Sequence, residues 1–81
     1  MDWKHPVGCD CFCKQDNYEF FIHEQNSTQF ILSIFQFVNE YMHTWVLPTV
    51  NSLAAAKELA ATWLANDKSN PTDTIPISDL H

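Results

Sequence analysis

Arginine is absent from this 81-residue chain, and glycine occurs once. The cations are Lys4, Lys14, Lys57 and Lys68, set against ten carboxylates for a net charge of −6. A protein that reads nucleic acid replaces phosphate counterions with Lys and Arg and places bidentate Arg on base edges. Direct nucleic-acid binding is therefore not expected. The same shortage of cations argues against docking on an anionic membrane surface. The lone glycine, Gly8, excludes the glycine-rich loops that cradle phosphates. There is no GxSxG, HExxH or CxxC motif, so neither catalysis nor a cofactor is expected.

Long hydrophobic runs are missing too. The most apolar stretch, Phe30 to Leu47, is interrupted by Ser33, Gln36, Asn39, Glu40, His43 and Thr44, which excludes a membrane-spanning helix. The N-terminal MDWKHPVGCD has neither an apolar run nor a small-residue cleavage site, so it does not read as a signal peptide. Three cysteines make an odd count that suits a reducing compartment. These features together predict a cytoplasmic protein.

What the chain does have is apolar bulk. Hydrophobic residues make up 46% of it, and six Phe, three Trp and two Tyr are more large apolar surface than so short a chain easily hides. Either the core is unusually aromatic or part of that surface meets a partner.

The cysteines fall at alternate positions in GCDCFCK. Residues 7–13 and 18–23 read as strands joined by the polar turn KQDN, in which Asp16 and Asn17 close the turn through their side chains. With Gln15 and Asp16 at the tip, Cys13 faces Tyr18, Cys11 faces Phe20 and Cys9 faces Ile22. Asp10, Phe12, Glu19, Phe21 and His23 then share the other face. This register also sets Cys9 and His23 on opposite faces, too poorly placed for a nucleophile–base pair. Alternate strand residues lie about 6.6 Å apart, whereas zinc thiolates converge to about 2.3 Å from the metal. The cysteines therefore read as small buried hydrophobes. The metal alternative requires His5 to join Cys9, Cys11 and Cys13.

Residues 30–47 place Phe30, Ile31, Ile34, Phe35, Phe37, Val38, Tyr41, Met42, Trp45 and Val46 on one half of a helical wheel. Asn26, Ser27 and Thr28 offer caps, and Pro48 a stop. A helix over about 28–46 is thus expected, although the residue types favour strand. NSLAAAKELAATWLAND is a second helix, at about 52–66, capped by Asn51 or Ser52, with Leu53, Ala56, Leu59, Ala60, Trp63 and Leu64 on one face. The expected fold is α+β: an N-terminal β-hairpin packed by two helices, ββαα, in a compact domain of residues 1–67 with an extended tail at 68–81. The alternative breaks residues 29–47 at Asn39-Glu40 into two strands, giving a three-stranded antiparallel meander plus a C-terminal helix, βββα.

The expected function is a small acidic protein-interaction module that binds or occludes a protein partner with a basic surface, as an inhibitor or modulator of the kind carried by phage and mobile elements. The alternatives are the metal-binding protein above and a structural subunit of a larger assembly. Trp3, Phe12, Phe21, Leu32 and Leu47 find no place on the expected buried faces, so they are the candidate partner-binding residues. Asp10, Glu19 and Glu40 are expected on the rim of that surface, and a homodimer is one form it could take.

Overall fold

β1 (Cys11–Gln15) and β2 (Tyr18–Asn26) form the expected antiparallel hairpin in the computed structural model, which describes residues 2–5, 11–66 and 70–79. The turn is Asp16-Asn17. Asp16 has a positive φ of 57°, in the left-handed region that Asp and Asn tolerate better than most residues. This moves the tip by one residue, so Cys13 pairs with Phe20 and Cys11 with Ile22 rather than with Tyr18 and Phe20. A two-residue slip preserves side-chain parity. Each residue keeps the face assigned to it, although its partner changes. Cys9 and Asp10 lie outside the described residues.

The helix expected over residues 28–46 is two strands, β3 (Gln29–Val38) and β4 (Tyr41–Val46). Three local features explain this correction. Asn26 Oδ1 accepts hydrogen bonds from the Thr28 backbone N–H at 3.0 Å and the Thr28 hydroxyl at 3.1 Å, while Asn26 Nδ2 donates to Gln29 Oε1 at 2.8 Å. Side chains suited to a helix cap here close a turn instead, because the same short-range bonds serve both. Asn39 then adopts a φ of 56°. It supplies the left-handed residue for which no glycine is present. Finally, both faces of β3 are apolar, so it lacks the polar–apolar alternation that marks a strand.

The second helix forms as expected. α1 (Leu53–Asn66) starts at Ser52, whose Oγ accepts the Ala55 N–H at 3.1 Å, the bond expected of a capping serine. Beyond it, the segment read as a tail contributes β5 (Asp73–Pro76), antiparallel to β4, followed by a 3-10 turn at Ile77–Asp79. The result is one five-stranded antiparallel sheet in chain order, β1-β2-β3-β4-β5, with α1 on one face. The protein is α+β, but not ββαα. No helix among the described residues is long and apolar enough to cross a membrane.

The core lies between sheet and helix. Cys11, Cys13, Phe20, Ile22, Leu32, Ile34 and Trp45 point from the strands towards Ala56, Ala60 and Trp63. The fully buried alanines let the helix approach the sheet closely, and Trp63 fills the space beside them, as close packing demands. Its ring packs edge-on against Tyr18 at 5.0 Å, Trp45 at 5.2 Å and Phe20 at 5.9 Å. Edge-to-face contact is the arrangement that ring quadrupoles favour.

Candidate functional site

Strand alternation sends every second residue to the face that α1 does not cover. Three of the cross-strand rows that result from the observed pairings span three or more strands. The first is Phe12, Phe21, Ser33 and Val46; the second is Lys14, Glu19, Phe35, Thr44 and Asp73; the third is Phe37, Met42 and Ile75. The phenylalanines form a continuous stack, with Phe12 4.9 Å from Phe21 and Phe21 5.4 Å from Phe35, ring centre to ring centre. Phe37 is 51% exposed and Val46 50%. Charge flanks the aromatics on both sides, with Lys14 on β1 and Asp73 on β5 both exposed. Within the charged row, Thr44 is buried, and its hydroxyl has no hydrogen-bond partner among the described residues.

The edges of the sheet are better protected than this face. The N-terminal arm pairs with β1, since Lys4 N–H donates to Phe12 O at 2.7 Å and Phe12 N–H to Lys4 O at 2.8 Å. At the other edge β5 spans only four residues and contains Pro76, two features that blunt an exposed edge. A cavity of about 470 Å³ lies at the end of the sheet between the β3–β4 turn and the 3-10 turn. It is lined by Asn39, Glu40, Tyr41, Pro76, Ile77 and Ser78, with Glu40 supplying a carboxylate.

Of the residues singled out from sequence, Phe12, Phe21 and Glu19 come together on the open face. Trp3 lies on the opposite side, half-buried, with its ring 6.4 Å from Phe20. Leu32 is 0% exposed in the core, and Leu47 packs against the core while donating its N–H to Leu32 O at 3.1 Å. Both looked surplus only because the segment was wound as a helix. Glu40 is exposed in the β3–β4 turn, away from the stack. Phe35, Phe37, Met42, Val46 and Ile75 are open-face residues that the helical reading does not place there. Reading β3 as a strand finds Phe35 and Phe37 at its odd positions, and reading β4 as a strand finds Met42 and Val46 at its even ones; Ile75 belongs to β5, which has no pattern of its own.

Cys11 and Cys13 are each 1% exposed within the core, as their alternate spacing indicated. Cys11 Sγ lies 3.5 Å from His5 Nδ1. Among the described residues, no group of three or more His, Cys, Asp or Glu side chains is placed to hold a metal ion.

Fold and face together define a small α+β domain in which a five-stranded meander is closed on one side and open on the other. No family model matches the chain, and neither a curated protein nor a solved structure matches it.

Proposed function

We propose that this protein is a small, acidic, non-catalytic interaction module that binds or occludes a protein partner through the open face of its sheet. The observation that carries this reading is the Phe12–Phe21–Phe35 stack, continued by exposed Phe37 and Val46, on a sheet whose other face is already closed. A contiguous apolar patch with charged residues at its margin marks an interaction surface, and aromatics are enriched at such surfaces. Glu19 lies beside the stack and acts on the rate and salt dependence of association more than on its strength. Asp2, Asp16, Glu24, Glu40 and Glu58 are exposed elsewhere. They give the molecule a field that draws basic protein surfaces. Affinity capture from a lysate of the producing cells, with wild type and Phe21→Ser as paired baits, tests the reading. Loss of the retained protein with Phe21→Ser is the expected result, and equal retention by both baits rejects the reading.

A further inference from the structure

We infer that the occupant of the open face is a second copy of this chain, packed sheet on sheet about a two-fold axis that runs along β3. The inference rests on the open face being a docking surface and names what docks there.

The argument comes from the charged row. Lys14, Glu19, Phe35, Thr44 and Asp73 lie side by side across the five strands, in that order. β3 is the middle strand, so the row has a cation at one end, a carboxylate at the other and Phe35 at its centre. A two-fold axis along the strands reverses the row. It sets Lys14 of one protomer over the partner's Asp73, the partner's Lys14 over Asp73, and Phe35 over its own copy. The same operation places Phe21 over the partner's Val46 and Glu19 over the partner's Thr44. A two-fold axis across the strands through this row would instead set Lys14 over Lys14 and Asp73 over Asp73, which like charges oppose. Of these two arrangements, only the first pairs the charged ends of the row with opposite charges.

Dimensions agree with this arrangement. Sheets pack about 10 Å apart with their strands nearly aligned, a gap that an extended Lys side chain and an Asp span together. Five strands spaced about 4.8 Å apart, with about 20 Å of strand length, give a footprint of roughly 500 Å² before side-chain relief is added. The two footprints together bury about 1,000 Å², below the standard size of stable interfaces and in the range of weak, transient ones, so a reversible dimer is expected. The exposed carboxylates outside the face stay outward in the dimer and are displayed twice to a basic partner.

Analytical ultracentrifugation of the full chain, from micromolar to submillimolar concentration, tests the inference. The wild type is expected to dimerise reversibly. K14E and D73K, each on an exposed edge residue that leaves the core intact, are each expected to weaken the dimer about tenfold. The double variant K14E/D73K restores it, because the ends of the row are exchanged. Phe35→Ser, which removes the ring on the axis from both copies, is expected to abolish dimerisation in the measured range. A wild type that stays monomeric throughout overturns the inference, as does a dimer that ignores both the charge reversals and Phe35→Ser. If the wild type is monomeric yet capture of another protein still depends on Phe21, only the second copy is rejected and the open face remains a docking surface. If capture is also independent of Phe21, both readings fall.

Discussion

The two faces of the sheet are built from the same strands and are similarly rich in large apolar residues, yet their environments differ sharply. On one, Cys11, Cys13, Phe20, Ile22, Leu32 and Ile34 are no more than 2% exposed beneath α1. On the other, Phe12, Phe21 and Phe35 are half-buried against one another, and Phe37 and Val46 are about half exposed. The difference is one of supply. α1 is the one regular α-helix among the described residues and covers a single face. An antiparallel sheet normally answers this with a polar outer face. Here the outer face stays aromatic, which folding alone does not require.

The comparison predicts that equivalent truncations on the two faces differ in kind. Trp63→Ala, in the helix that closes the covered face, should have the largest effect on stability, about 3–5 kcal/mol by analogy with other buried Trp truncations. Since domains are stable by only about 5–15 kcal/mol, urea titration should find this variant partly or wholly unfolded. A loss below about 1 kcal/mol would mean that α1 is not what closes the core. Cys11→Ser probes the same face more gently. It places a hydroxyl where a thiol packs as a hydrophobe, at a cost of about 1–3 kcal/mol. Treatment of the native protein with a chelator should leave its melting midpoint unchanged. Stoichiometric zinc lost together with the fold would overturn the packing role of the cysteines.

The β3–β4 turn sets which residues belong to which face, so Asn39 sharpens the comparison further. Its backbone is left-handed, a conformation that alanine resists and glycine adopts freely. Asn39→Ala should therefore cost roughly 1 kcal/mol or slightly more. Asn39→Gly should be close to neutral, since the relief of backbone strain is offset by a more flexible unfolded chain. Thermal denaturation of the pair separates conformational cost from lost side-chain bonds; equal losses in the two would place the cost in the side chain. The open face contributes less to folding than the covered one. Phe21→Ser should lower the stability of the dilute protein by about 2 kcal/mol, from the half-burial of its ring and its aromatic contacts together, while eliminating association. A loss as large as that from Trp63→Ala would show the open face to be a second core, and the contrast between the faces would collapse.

Part of this fold is legible in local sequence. VGCDCFC and YEFFIH, joined by a turn rich in Asp and Asn, indicate the first hairpin, and its parity survives even though its register slips by two residues. NSLAAAKELAATWLAND indicates α1, including its cap at Ser52 and its buried stripe of Ala56, Ala60 and Trp63. The placement of Phe12, Phe21 and Glu19 on the face opposite the cysteines is legible too, since strand alternation separates them. Residues 29–46 mislead because apolar side chains occupy both strand faces while the polar ones, Ser33, Gln36, Asn39, Glu40, His43 and Thr44, recur every three to four residues and so collect on one side of a helical wheel. Leu32 and Leu47 were misassigned by the same step.

The sequence by itself determines the solvent-facing chemistry, namely an acidic chain without arginine, and those elements whose signals are local, such as a capped alanine-rich helix and a hairpin turn. Tertiary structure alone decided three other matters. Residues 29–46 became strands because β2 offered a ladder of backbone partners on one side, and pairing across chain segments overrides a local period. Residues 73–76 became β5 because β4 left an open edge. Such an edge accepts backbone bonds even from a segment with little pattern of its own. The aromatic face exists only after these strands assemble. Phe12, Phe21 and Phe35 are far apart in the chain and meet on one side of β1, β2 and β3, because antiparallel register stacks alternate residues of neighbouring strands.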